Sequence, residues 1–123
     1  MDEKSFYAAV AERAGLSKEE AADLTRATLA AIAGQISSGE VQKLAQALPD
    51  WLGDNLPQHD GSAHPVALTD AVRQISRRTG LTQEETHRGV GAVLTVMRET
   101  VDRTHLEQAL FQLPKDYRQL EAT

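Results

Sequence analysis

A chain of 123 residues with no cysteine is long enough for one hydrophobic core, and it excludes disulfides, thiol catalysis and Cys-ligated metal centres. Its formal net charge of −5 opposes nonspecific binding to nucleic acid and to anionic membranes. Hydrophobic residues make up 41% and aromatics only 4%, so the core must be built from Ala, Leu, Val and Ile, as in closely packed helices. The N-terminal Met1-Asp2-Glu3-Lys4-Ser5-Phe6 has no basic region followed by an apolar stretch, and no run of about 18 apolar residues occurs, so a soluble cytoplasmic protein is expected.

Phe6, Ala9, Val10 and Arg13 fall at helical spacing and Gly15 supplies a C-terminal stop, which predicts a first helix over about 2–14. Ser17 followed by Glu20 is a capping-box pattern and opens a longer helix over about 18–37. Thr25, Thr28, Leu29, Ile32 and Ile36 form one face of it, and Leu24, Ala27 and Ala31 lie on the opposite side. A helix that is apolar or small on two sides belongs in the middle of a fold. Val41, Leu44, Ala45 and Leu48 then predict a shorter amphipathic helix that stops at Pro49, and a brief helix over about 50–56 follows. Pro57-Gln58-His59-Asp60-Gly61-Ser62-Ala63-His64-Pro65 is rich in breakers and reads as a linker.

Beyond the linker the pattern returns. Arg78-Thr79-Gly80-Leu81 lies on Arg13-Ala14-Gly15-Leu16 at a displacement of 65 positions, and the register continues without a gap to Leu113-Pro114 on Leu48-Pro49. Thr82 and Glu85 repeat the capping box and open a helix over about 83–102, with Val90, Val93, Leu94, Met97 and Val101 on one face and Gly89, Ala92 and Val96 on the other. Gly89 and Gly91 each cost a helix interior about 1 kcal/mol relative to Ala, a cost that makes sense where the two long helices cross. Leu106, Ala109, Leu110 and Leu113 predict the next helix, and a brief one over about 115–120 ends the chain. The expected architecture is all-α: two tandem pseudo-symmetric helical repeats of about four helices each, repeat 1 at 1–56 and repeat 2 at 66–123, joined by the linker at 57–65 and packed into one compact domain.

Gly15-Leu16-Ser17-x-Glu19-Glu20-Ala21, Ser38-Gly39-Glu40-Val41-x-x-Leu44, Ala47-Leu48-Pro49 and Gln112-Leu113-Pro114-x-x-Tyr117-Arg118 together resemble a bacterial two-repeat helical family, domain of unknown function 2267. The resemblance covers nearly the whole chain. It departs at Arg103-Thr104-His105-Leu106, where the first copy has Ser38-Gly39-Glu40-Val41. It implies a helical fold and a bacterial, cytoplasmic setting, and it brings no activity with it.

The candidate chemistry is sparse. The pairs Glu19-Glu20 and Glu84-Glu85 are accounted for by capping and by favourable charge at a helix N-terminus. Glu84 and His87 make a Glu-x-x-His of the kind that di-iron bundles project inward, but the first copy has Ala22 where the second has His87, so the second half of such a site is lacking. His59 and His64 flank the linker, and His105 opens a helix. Ser17 and Ser38 read as caps and Ser76 as helical, so no nucleophile–base–acid set assembles. Gly89-Val90-Gly91 sits in a helix pattern and cannot form a phosphate loop. No cofactor is called for.

Residues 59–123 hold eight bases, seven of them arginine, against nine acids. Arg73, Arg77 and Arg88 offer a modest basic patch without the interleaved aromatics that nucleic-acid binding uses, so nucleic acid is not the expected partner. Trp51, the only tryptophan, is read either as a plug over the core or as an anchor for a partner, and the same two readings apply to Tyr117 with Arg118. The functional expectation is a non-enzymatic module for binding a protein partner or for self-association, with no membrane involved. The rivals are a small-molecule or metal-binding protein or enzyme using Glu84 and His87, and nucleic-acid binding through the arginines of the second half.

Overall fold

A computed structural model describes residues 1–59, 61–101 and 103–120, with the side chains of residues 118 and 119 left out of the description. Among the described residues the chain is helical and contains no strand. The helices are α1 (Glu3–Ala14), α2 (Lys18–Gln35), α3 (Ser38–Ala47), α4 (Asp50–Gly53), α5 (Leu68–Thr79), α6 (Gln83–Thr100), α7 (Arg103–Phe111) and α8 (Asp116–Gln119).

Local chemistry sets these boundaries. Gly15 and Gly80 end α1 and α5 with φ of 70° and 80°, a left-handed conformation that favours glycine. Both long helices open with a complete capping box: the Ser17 and Thr82 hydroxyls accept from the backbone N–H of Glu20 and Glu85, whose carboxylates accept in return from the backbone N–H of Ser17 and Thr82. Those returned bonds hold the Glu85 carboxyl below its ordinary pKa. α2 stops at Gln35, two residues earlier than the periodicity predicts, because Ile36 is extended and the Ser37 hydroxyl accepts from Glu40 N–H as the cap of α3. The brief helix after Pro49 spans only one turn. A Cβ at Gly53 would lie 2.8 Å from the Ala45 carbonyl oxygen, so this turn is pressed against α3 by the lack of a side chain.

α2 and α6 pack on each other, α1 lies against both, and α5 also lies against both, while α3 packs on α7 and α4 on α3. The buried apolar side chains form one continuous cluster from Phe6 to Leu120. Both faces of the long helices are used as the spacing predicts: Leu24, Ala27, Leu29, Ile32 and Ile36 are buried on the α2 side, and Val90, Val93, Leu94, Val96 and Met97 on the α6 side. Gly89 marks the close approach, since a Cβ there would overlap a methyl group of Leu24 on α2. Gly91 faces elsewhere, toward the Leu120 carbonyl oxygen, 3.4 Å from where its Cβ would stand. Most of the described linker residues are exposed, as a linker should be, but it is tied to the end of α2 at two points. His59 Nε2 lies 3.0 Å from the carbonyl oxygens of both Ala33 and Ile36, and Ser38 N–H donates to the Gly61 carbonyl. The physical cause is that the last carbonyls of α2 have no partner within the helix. A donor from the linker satisfies them, with His59 Nδ1 accepting from Gly61 N–H in the matching neutral tautomer.

Candidate functional site

The polar groups of a site must converge from several elements, and in this chain they do so beside α6. His87, Gly91 and Thr95 recur every four residues and so share one stripe of that helix, flanked by Arg88 and Ala92. Arg13, from the last turn of α1, and Leu120 close the opposite side. Together these residues enclose a cleft of about 390 Å³, within the range of small-ligand sites. Arg88 Nε donates to the Ala14 carbonyl oxygen at 2.9 Å, tying α6 to the C-terminus of α1. Arg13 pairs with Glu99 at 2.6 Å, both side chains being about half exposed. Thr95 donates its hydroxyl to the Gly91 carbonyl within the helix.

Of the sequence candidates, His87 lines this cleft and Glu84 does not. Both are exposed, and among the described residues no group of three or more His, Asp or Glu side chains converges to hold a metal ion. The arginines do not gather either. Arg73 pairs with Asp70 on its own helix, Arg77 is exposed, and Arg88 is drawn to α1.

Trp51 stands on α1, its ring 5.5 Å from Phe6 and 6.2 Å from Tyr7 in edge-to-face geometry, with the Arg26 guanidinium 5.7 Å above the Tyr7 ring. The ring is half-buried, with one side packed on the core. Tyr117 is enclosed, 3% exposed, and its hydroxyl accepts a 2.7 Å hydrogen bond from Gln35 Nε2. Burial pushes its pKa up, partly offset by that bond. A ring so enclosed has little surface left for a partner. The Arg118 side chain lies outside the described residues.

Three features escaped the sequence reading. Arg13 joins Arg88 at one cleft only through the packing of α1 on α6, which no local pattern encodes. Gln35, 3% exposed, joins α2 to Val66 and Tyr117. Phe111 is 73% exposed at the end of α7, and its counterpart 65 positions earlier is Gln46, so an aromatic replacing a polar residue was the available signal.

Fold and site define an all-helical protein with an arginine-flanked cleft beside α6 and, among the described residues, no helix long and apolar enough to cross a membrane. The family model for the uncharacterized conserved protein DUF2267 matches residues 3–120, and the chain belongs to that family. No curated protein matches it.

Proposed function

We propose that this protein is a non-enzymatic interaction module that binds a protein partner, built from two copies of one helical unit. The observation that supports the reading most is how the chain spends its chemistry-bearing side chains. Ser17, Thr82, Glu20 and Glu85 cap helices, His59 meets helix carbonyls, and Tyr117 meets Gln35. The largest exposed aromatic is meanwhile Phe111. Exposed apolar surface costs solubility and is favoured where it is covered by a partner. A different protein suits this reading better than a second copy, since two chains of net charge −5 repel.

The test is stoichiometric capture from the source cell at low salt, run with the native chain and with Phe111→Ser, alongside light scattering of the purified protein. One protein held at fixed ratio by the native chain, and lost in Phe111→Ser at unchanged thermal midpoint, is the expected result. A monomer that holds no partner at fixed ratio removes the reading. A concentration-dependent dimer replaces it with self-association.

A further inference from the structure

We propose that the cleft between α1 and α6 binds an oxyanion, carboxylate or phosphate, carried on a short apolar body. The charge balance of the cleft points there. Arg13, His87 and Arg88 line it, and among the described residues no carboxylate does. In a chain with more acids than bases, two arginines and a histidine gathered at one cleft form a local surface suited to an anion. Glu99 answers Arg13 from outside the cleft. Arg88 commits its Nε to the Ala14 carbonyl, and its charge lies close enough to Glu85, one turn earlier, to help hold that carboxyl down, but among the described residues it closes no ion pair.

That committed Nε is also what makes Arg88 suited to the task. A guanidinium anchored through one nitrogen to a backbone carbonyl has lost part of its rotamer freedom already, so less entropy is lost when its remaining donors meet an oxyanion. Gly91, with no side chain, leaves depth beneath the cationic rim, and Ala92 and Leu120 supply apolar surface beside it. A volume of about 390 Å³ exceeds what a bare phosphate fills, so the anionic head should carry a body of several carbons.

A second groove sharpens the assignment. Between α5 and α2 a second cleft is lined by Ala27, Ala30, Ala31, Gln74, Ile75 and Arg78. Arg78, Ala27 and Ala30 stand 65 positions from Arg13, Ala92 and Thr95, so the two grooves occupy equivalent places. The residues 65 positions before His87 and Arg88 are Ala22 and Asp23, and Asp23 faces Arg26 instead. The His87 and Arg88 side chains of the first groove are therefore a feature of one half alone, which makes a single anion site rather than two.

The site goes beyond the interaction reading and is tested separately. The native chain is titrated with inorganic phosphate, with phenyl phosphate and with a short glutamate-containing peptide at low ionic strength, following backbone amide NMR shifts. Saturable shifts centred on residues 13–15 and 87–95 are expected, with phenyl phosphate binding about tenfold tighter than phosphate through its buried ring. Arg88→Met should weaken binding roughly tenfold or more, the scale of a charge-assisted hydrogen bond. His87→Ala, which removes an exposed side chain that makes no hydrogen bond among the described residues, should weaken it without moving the thermal midpoint and so reads the cleft even where Arg88→Met disturbs the α1 end. Glu99→Gln should tighten it by releasing Arg13, a direction that a purely structural arginine cluster does not produce. Peptide binding tighter than phenyl phosphate places the anion on a protein partner, and the reverse order places it on a small molecule. Absence of saturable shifts, or equal affinities in the native, Arg88→Met and His87→Ala proteins, overturns the site. An anion that binds while no protein partner is captured leaves the site standing and removes only the interaction module.

Discussion

The side-chain amide of Gln35, at the end of α2, donates to the hydroxyl of Tyr117, 82 residues further along the chain, at 2.7 Å. The same amide oxygen accepts from Val66 N–H at 2.9 Å, where the linker enters the second half. One buried side chain thus ties the last turn of α2, the linker exit and α8 together. Nearby, Ser37 N–H donates to the Gln112 side-chain oxygen at 2.8 Å, a second polar tie between the halves.

Truncating this hub should cost more than removing either of its bonds. Gln35→Ala strands the buried Tyr117 hydroxyl and the half-buried Val66 N–H, and unsatisfied buried groups cost about 1–3 kcal/mol each. Allowing for partial relaxation, a loss of about 2–4 kcal/mol is expected in urea unfolding. Tyr117→Phe leaves only one amide donor short of a partner and should cost about 1 kcal/mol. In the double variant the two losses should add to less than their sum, because they share one bond. Strict additivity would show that the Gln35–Tyr117 contact contributes nothing.

Alkaline pH should loosen the same region. Burial raises the Tyr117 pKa above its ordinary value of 10.0, so the folded state holds the phenolic proton more tightly than the unfolded chain does. The contribution is fully present below about pH 10 and is lost as pH rises through the folded value. Unfolding free energy of the native protein should therefore fall on the alkaline side of 10, and Tyr117→Phe should flatten that fall. Tyr7 is shifted the same way by burial, so part of the slope should survive in the variant.

Much of this fold is written locally. Ser17-x-x-Glu20 and Thr82-x-x-Glu85 mark the starts of α2 and α6, and Gly15 and Gly80 mark the ends of α1 and α5, because a cap or a left-handed turn is decided by neighbours a few residues away. Two-sided burial of the long helices is legible for the same reason, as a spacing. The tertiary pairings are not. Arg13 and Arg88 are 75 positions apart, and only the packing of α1 against α6 brings both to one cleft. His59 reads as part of a solvated linker because its partners are main-chain carbonyls of α2, which carry no side-chain signature.

Gly89 offers a direct test of the helix crossing. Replacing it by alanine gains about 1 kcal/mol in helix propensity, yet the added methyl would overlap a Leu24 side-chain methyl on α2. Overpacking of this kind costs typically about 1–3 kcal/mol, so Gly89→Ala should be destabilising on balance. Pairing it with Leu24→Val, which shortens the opposing side chain, should recover part of the loss by thermal or urea unfolding. A stabilised Gly89→Ala protein would mean that α2 and α6 sit further apart than the structure places them. Gly91→Ala, whose new methyl would meet the Leu120 carbonyl oxygen at 3.4 Å and the Leu120 Cβ at 3.6 Å, should be closer to neutral.

Trp51 and Phe111 separate structure from recognition. Trp51 is half-buried and packs edge-to-face on Phe6 and Tyr7, two residues inside the core cluster. Aromatic pairs add about 0.5–1.5 kcal/mol beyond area burial, and a fully buried Trp→Ala replacement costs about 3–5 kcal/mol. For a half-buried ring, Trp51→Ala should then cost about 2–3 kcal/mol, with quenching or shift of its fluorescence on unfolding reporting the lost contact in the native chain. Phe111→Ser removes a side chain that is 73% exposed and should alter stability by less than about 0.5 kcal/mol. The two variants should therefore split: the first unfolds early and still captures a partner at low temperature, while the second keeps its thermal midpoint and loses the partner. If Trp51→Ala instead kept full stability and lost capture, the ring would be an anchor for the partner and not a plug on α1.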